Sequence, residues 1–582
     1  MDPYAVQFLS HLKMETAVST QPPISKVIST QSYRDSWKKM KPNTSSSPFG
    51  PTFVHYIAGS RDQQIAEFDA TMANIPYASG YSPEVWIKMV DVLITKKITS
   101  SAIEKLRIIV LFHALLNMNN KRIGREMAAN AERLNQIPWE AYGSRKCHRS
   151  IECAANKVLT TDIARQEHRS MALCSNDAKS CYDRILHAIA TICMRRVGVP
   201  KKICLMMFGT LAKVKHYIRT TYGDSTTSYS CIEIPFQGIY QGNGAGPGIW
   251  LLVSIPIINM LKTAGFGFRV CTVISRDEFS FVCYTFVDDS DVVHSCLELW
   301  EKATAWAEKV RSGRFSPAEA WFSIQFCIMK SLEYPLMATS LSKTQCNRIM
   351  KPIRAAGLPA LGINRHLTLE VVHGPKRYQG VGITDLWTIQ GILKFWLALQ
   401  HGDAPTITGH QLRASMELHT IEIGLPGQLL HQDYKKFGKL ATNSWLKHLW
   451  EFCDDSNLQL TSKTPQLHLA RDHDEFLMTA FASHGYQYSQ LTLLNLCCLF
   501  CHALRLSDIS TRDGRRILPR NWQGYPTDSS GCEFEWHYHG RPSNTAWDLW
   551  RLALWNCFLT IETAQQILRQ PLGSWTNSTP PN

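Results

Sequence analysis

Val282-Cys283-Tyr284-Thr285-Phe286-Val287-Asp288-Asp289-Ser290-Asp291-Val292-Val293-His294 sets two adjacent carboxylates between two β-prone runs. Apolar and β-branched residues on both sides of a short acidic segment give the pattern of a hairpin with acids at its tip. Neighbouring carboxylates repel each other unless a cation lies between them. Hard oxygen ligands of this kind suit Mg²⁺, which keeps waters and takes substrate phosphates as further ligands. A solvated acidic turn would carry the same tetrapeptide, because Asp is an ordinary turn residue. What separates the two readings lies upstream.

Met171-Ala172-Leu173-Cys174-Ser175-Asn176-Asp177-Ala178-Lys179-Ser180-Cys181-Tyr182-Asp183 reads as an apolar strand that delivers Asp177 at its C-terminal end. A helix is expected from about Ser180, carrying Tyr182 and Asp183. A strand-end Asp facing the hairpin acids completes a carboxylate set for two metal ions, which clamp the attacking and leaving oxygens of an in-line phosphoryl displacement. Catalysis of that kind is mainly positioning and charge neutralisation. Taken alone, Asp177 reads equally as a helix N-terminal acid. The second partner is Gln237-Gly238-Ile239-Tyr240-Gln241-Gly242-Asn243-Gly244-Ala245-Gly246-Pro247-Gly248-Ile249-Trp250, with five Gly in 11 positions. Glycines let a backbone approach a ligand closely, and the apolar run after Pro247 predicts a helix starting from that loop. A plain Gly-rich turn is the other reading.

In this order, the three segments resemble the signature motifs of reverse transcriptases, in particular those of non-LTR-type retroelements. Asp177-x-x-x-x-Tyr182-Asp183 looks like the first catalytic motif of the palm, and Gly238-x-x-Gln241-Gly242-x-x-x-Gly246-Pro247 like the template- and nucleotide-positioning motif. Phe286-Val287-Asp288-Asp289 looks like the aromatic-x-Asp-Asp box. Upstream, Tyr142-Gly143-Ser144-Arg145-Lys146-Cys147-His148-Arg149-Ser150 is similar to the basic fingers motif that tracks the template. Asp91–Lys97 and Lys105-Leu106-Arg107 look like the fingers segments that hold the incoming triphosphate. Ser175–Asp183, the Gln241–Pro247 run, Gly374–Gly380 and the Trp-rich C-terminus are also similar to reverse-transcriptase-domain proteins of eukaryotic microbes, so the resemblance covers most of residues 60–575.

The resemblance implies an α+β chain with the right-hand polymerase fold, fingers and palm, followed by a largely helical C-terminal region. It implies RNA-directed DNA synthesis from dNTPs on an RNA template and DNA primer, with two Mg²⁺ ions or Mn²⁺ in their place. Asp177, Asp288 and Asp289 become the catalytic acids and, with the peptide carbonyl of Ala178, the metal ligands. Lys96, Lys97 and Arg107 would neutralise the triphosphate, Arg by a bidentate fork and Lys as a point charge. Tyr182 would stack under the sugar and exclude a 2′-hydroxyl, and Gln241 and Gly242 would position the nucleotide and template base. Arg145 and Lys146 would meet template phosphates. A helix-face core aromatic remains the other reading of Tyr182, and ordinary solvated charge that of each Lys and Arg.

Composition agrees with a phosphate-binding partner without requiring one. The net charge is +14, from 62 Lys+Arg against 48 Asp+Glu; a basic surface is the footprint of a protein that meets nucleic acid. The 18 Cys are scattered, and Met1-Asp2-Pro3-Tyr4 opens a polar stretch rather than a signal peptide. We expect reduced thiols in an intracellular protein of the nucleus or cytoplasm. The longest mainly apolar run, Ile249–Leu261, is 13 residues and contains Pro256, too short to span a bilayer. Cys497, Cys498, Cys501 and His502, and Cys532 with His537 and His539, have zinc-like composition. The first group sits in Leu-rich Leu493–Leu506, which favours a buried helix with core thiols.

Along the chain, residues 1–60 read as a flexible polar tail, 61–165 as a mainly helical fingers-like region, with helical patterns at Glu104–Leu116 and Asn119–Glu132, and 166–295 as the palm. Residues 296–440 read as a helical thumb-like connector and 441–582 as a helical C-terminal region of unassigned role. One departure from the family stands out. Reverse transcriptases usually follow the acidic hairpin with a helix and loop bearing Gly and Lys, then a β-hairpin that grips the primer. Here Ser295-Cys296-Leu297-Glu298-Leu299-Trp300 runs straight into a helical pattern, which implies an internal deletion after His294. Two other identities therefore stay open: a catalytically inactive nucleic-acid-binding remnant, and an RNA-dependent RNA polymerase. Tyr182 and Val287 argue against the latter, since RNA polymerases of this kind usually carry a polar residue at the first position and Gly at the second.

Overall fold

The computed structural model describes residues 3–13, 23–95, 106–171, 181–230, 236–285, 296–463, 466–470, 474–511, 516–525 and 540–560. They are mostly helical, with a small sheet. The chain divides into two compact units: the first drawn from 1–150, 175–267 and 281–290, the second from 151–174, 268–280 and 291–582.

The first unit is organised on a four-stranded sheet of order β2-β1-β3-β4, with β1 Lys88–Thr95, β2 Leu106–Leu111, β3 Lys215–Thr220 and β4 Gly223–Asp224. β1 pairs antiparallel with β2 and parallel with β3, and Asp91 lies opposite both Val110 and Ile218. β-branched residues crowd these strands, as a pleated surface favours. The inner end of β1, Met89-Val90-Asp91, is buried, whereas Leu93–Thr95 and the facing Arg107 and Ile108 are exposed. The helical pattern expected over Glu104–Leu116 is corrected here. β2 occupies its middle, and the helix starts only at Ala114, running to Arg133. A short apolar run fits either period, and pairing with β1 decides it.

The polar N-terminal stretch is not a tail over residues 23–60. A helix spans Thr30–Lys38, capped by the Ser29 hydroxyl accepting from the Ser32 amide at 3.2 Å. Tyr33 and Trp37, four residues apart, share its buried face. The Trp37 ring stacks on Tyr56 at 5.0 Å and meets Phe53 edge-on at 5.6 Å. Ile28 is held at both its N–H and its C=O by the Asn74 side-chain amide. Two well-placed aromatics outweigh a polar average, because each buries a large apolar area.

The helix expected after Pro247 is present as Gly246–Thr263. It is longer than the apolar run that marks it and is apolar and long enough to cross a bilayer by length and composition. In this unit, however, Ile249, Leu251, Leu252, Ile255 and Ile258 bury their side chains in the core that also holds Met127 and Met194.

Among its described residues the second unit is mainly helical, with one two-stranded sheet of β5 Phe268–Cys271 and β6 Glu278–Phe281. The fingers boundary near 165 is corrected: the helix Ser150–Gln166 belongs here, not with the sheet. Its Ile151, Ala155 and Leu159 join the core of Trp445, Trp450 and Trp550. Its Asp162 accepts the Trp445 N–H at 2.7 Å, and Gln166 accepts the Ser415 hydroxyl at 3.0 Å. No break falls at 440 either, since Leu397, Leu412, Leu446 and Leu494 share that same core. On the helix Tyr488–Phe500 and its C-cap, Cys497, Cys498 and Cys501 are buried, and burial pushes the Cys501 thiol up to about 12. These are core thiols; Cys532, His537 and His539 lie outside the described residues.

Candidate functional site

The Gly-rich loop of the first unit is stitched to three separate elements. The Gly238 N–H donates to Ile185 C=O at 2.9 Å and the Ile239 N–H to Tyr182 C=O at 2.8 Å. Tyr182 and Asp183 lie on a single 3-10 turn, Cys181–Arg184, rather than on a longer helix. The Val110 N–H of β2 donates to Gln241 C=O at 2.8 Å. Asn117 Oδ1 accepts the Gly244 N–H at 2.6 Å, and Asn120 Nδ2 donates to Asn243 Oδ1 at 3.2 Å.

These contacts revise why the loop is rich in glycine. A Cβ on Gly242, whose φ is +116°, would sit 2.2 Å from Val110 O, and one on Gly248 would sit 2.7 Å from Gly124 O. Gly242 and Gly248 let the loop press onto β2 and onto the helix Ala114–Arg133, so close protein packing accounts for these two. What the packing leaves at the surface is small: Gly242 is exposed and Gln241 half-buried. On either side of Gln241-Gly242, Tyr240 Oη and Asn243 Nδ2 are buried without a hydrogen-bond partner among the described residues. Buried donors left unpaired are uncommon in folded proteins and ask for an explanation.

Tyr182 is half-buried and meets the Trp250 ring edge-on, with centroids 6.2 Å apart. This ring contact is what the core reading of Tyr182 expects. Beneath the loop, Asp91 on β1 is fully enclosed. Its Oδ1 accepts from His216 Nδ1 at 2.9 Å and its Oδ2 from Tyr229 Oη at 2.5 Å. The His216 ring stacks on Tyr229 and receives the Tyr240 ring edge-on at 5.3 Å. Burial, then the charges of Asp91 and Asp183, push the Tyr240 phenol upward. Tyr240 also has φ +56°, outside the usual range for a residue with a side chain. The sequence carried no local sign of this cluster, because its members are 125 and 138 residues apart.

The basic residues part company. Arg145 was expected on template phosphates, but its guanidinium is consumed internally: Nε and Nη2 donate to Glu132 at 2.5 and 2.9 Å, and Nη1 to Ala141 C=O at 2.8 Å. These bonds clamp residues 132–145 together. Lys146 is exposed and forms no ion pair among the described residues. Arg107 is exposed on β2, three residues from Val110 and so roughly 10 Å along the strand from the loop contact. Residues 140–142, at the entrance to the same basic segment, form an isolated parallel bridge with Thr285. Thr285 N–H donates to Glu140 C=O at 3.0 Å, and Tyr142 N–H to Thr285 C=O at 2.8 Å. Glu140 is itself buried and paired with Lys262 at 2.8 Å.

Asp177, Ala178, Asp288, Asp289, Lys96 and Lys97 lie outside the described residues. The described residues hold no group of three or more His, Cys, Asp or Glu side chains arranged for a metal ion. The structure therefore brings together the surroundings of the expected site: Tyr182 with Gly238–Ile239, Gln241–Gly242 with β2, and Thr285 with 140–142. A comparison with protein-family models and with curated proteins returns no match to this chain.

Proposed function

We propose that the chain is a reverse-transcriptase-like protein of a retroelement, with a right-hand polymerase architecture, that adds dNTPs to a primer 3′-hydroxyl on an RNA template. The observation that carries this reading is the pair of backbone hydrogen bonds joining Tyr182 and Ile185 to Ile239 and Gly238. Two segments about 55 residues apart, each resembling a polymerase motif, adjoin in space. A sugar gate works only if its aromatic stands beside the residues that position the nucleotide, and this pairing supports that arrangement. Tyr182 excludes the 2′-hydroxyl sterically. Gln241, half-buried beside the exposed Gly242, offers its side-chain amide to the incoming nucleotide. Exposed Arg107 and Lys146 add positive charge for triphosphate and template. Asp177, Asp288, Asp289 and the Ala178 carbonyl would hold two Mg²⁺ ions, which when bound activate the 3′-hydroxyl and neutralise the leaving pyrophosphate.

The test is primer extension on an RNA template with dNTPs and Mg²⁺. Product that disappears in Asp288→Ala supports the reading. Incorporation of rNTPs as readily as dNTPs would instead favour an RNA polymerase and remove the sugar-gate role of Tyr182. One observation favours the inactive-remnant reading: among the described residues no β-strand follows Phe281, and the helix Cys296–Ser312 begins seven residues after Asp289. Neither arrangement leaves a described primer-gripping hairpin. RNA binding without extension would decide for the remnant.

A further inference from the structure

The second unit contains a hydrogen-bonded chain that the polymerase reading does not use. Ser444, His419 and Glu422 are linked in series. His419 Nε2 lies 2.7 Å from Ser444 Oγ, and His419 Nδ1 lies 2.8 Å from Glu422 Oε2. The direction of the chain follows from chemistry. An ionised carboxylate only accepts, so Nδ1 carries the ring proton and donates to Glu422. In the neutral imidazole Nε2 is then bare and accepts the Ser444 hydroxyl proton. The acid is fixed in turn, since its other oxygen accepts both the N–H and the hydroxyl of Thr442. His419 is fully buried, so its ring has no water to exchange partners with.

Ser444 caps the eleven-residue helix Trp445–Asp455, and its Oγ accepts the Lys447 N–H at 3.0 Å. A donor and a helix N-terminus at that oxygen both favour alkoxide character. The same serine lines a cavity of about 260 Å³, together with Thr339, Ser340, Asn443 and Trp445. Lys394 Nζ donates to Ser340 Oγ at 3.1 Å, which leaves the Ser340 hydroxyl proton free to be donated elsewhere. The exposed Asn443 side chain makes no hydrogen bond among the described residues.

We propose that Ser444 is a nucleophile activated by His419 and Glu422, and that the cavity beside it takes esters of small acyl groups. The Ser444 oxygen bonds to the ester carbonyl carbon while its proton passes to His419 Nε2. Ser340 and Asn443 donate to the developing oxyanion, which is where such sites supply most of their rate enhancement. The carbon–oxygen bond to the leaving alcohol breaks, and His419 returns its proton to that alcohol. Water, deprotonated by His419, then takes the acyl group and restores the serine, so ester and water become acid and alcohol. The arrangement is that of a Ser–His–acid triad, recognised by roles rather than by fold.

The test uses the full chain and a short-chain alkyl fluorophosphonate, which loses fluoride to an activated serine and marks it covalently. The adduct is located by peptide mass spectrometry, with thermal melting to establish that each protein is folded. We expect an adduct on Ser444, none in Ser444→Ala, and labelling slowed at least tenfold in Glu422→Gln. A serine that merely caps a helix stays unmodified, so a folded wild-type chain without an adduct at Ser444 overturns the proposal. An unchanged labelling rate in folded Glu422→Gln does the same. Should that variant not fold, the wild-type result alone decides.

Discussion

Two buried polar clusters, one in each unit, are handled in opposite ways. In the first, Asp91 is met by an imidazole and a phenol, both directed at it from elements far away in sequence. The partners are themselves stacked, and the cluster underlies the Gly-rich loop. In the second, buried ionisable groups sit on packed helices among aromatics. Lys394 is fully enclosed, donates to Ser340 Oγ and Trp445 C=O, and lies over the Trp445 ring at 5.0 Å. Burial, opposed only in part by Asp162, lowers its amine to about 7. Burial and the neighbouring Lys394 and Lys447 charges lower His448 to about 3. Asp91 is a buried charge paired with donors, whereas Lys394 and His448 have their charge suppressed. A paired network can hold geometry near a site, whereas suppressed charge makes stability depend on pH.

The largest effect expected from this contrast is at Lys394. Free amines titrate near 10.4, so between about pH 7 and that value the unfolded chain binds a proton that the folded one does not. Stability of the second unit should therefore rise with pH across this window, by an amount on the order of 4 kcal/mol. Lys394→Met should flatten that rise and stabilise the unit at neutral pH, as replacing buried charge by apolar bulk often does. Urea melts at several pH values, wild type minus variant, would show it; parallel curves would break the contrast.

Next in size is Gly242→Val. A side chain there meets Val110 O and needs a φ of +116° that valine does not adopt. We expect a loss of about 3 kcal/mol in the first unit, read by peptide-resolved hydrogen exchange that leaves residues 386–455 unchanged. Asp91→Ala should follow at about 2 kcal/mol, because it strands the buried His216 and releases the Tyr229 hydroxyl. It should also loosen exchange at 237–244, and tight exchange there would deny the cluster its supporting role. Arg145→Ala should cost about 1 kcal/mol through the partly exposed Glu132 pair, with RNA affinity unchanged. Smallest is Lys146→Ala, which should leave stability alone and, under the proposed function, weaken RNA binding two- to threefold and reduce the salt slope by about 1.

Much of the local grammar was legible. Pro247 before an apolar run foretold the helix Gly246–Thr263, and the Leu-rich setting of Cys497, Cys498 and Cys501 foretold buried thiols. What escaped was set by distance or by averaging. Leu106–Leu111 becomes a strand because β1 pairs with it, and neighbouring residues alone do not say so. Tyr33 and Trp37 were hidden in a polar average, although their spacing of four was visible. Of the expected site, the Gly238–Gly248 loop was found from composition, but its glycines serve packing against β2 and Gly124 as much as any ligand. The Glu132 partner of Arg145 was not visible, because a sequence shows a charge without its partner. The Asp91–His216–Tyr229 cluster and the Ser444–His419–Glu422 chain assemble only in three dimensions.

The interleaving of the units has a consequence for biosynthesis. The helix Ser150–Gln166 finds its core partner Trp445 across 283 residues of chain. At roughly 5–20 residues per second, the ribosome releases that helix some tens of seconds before the partner emerges. Through that interval the face bearing Ile151, Ala155 and Leu159 lacks the tryptophans of its core. The nascent chain thus presents an apolar helix face early and for long, which makes this helix the natural point of engagement for a holding chaperone and the first place where a slowed translation would favour aggregation.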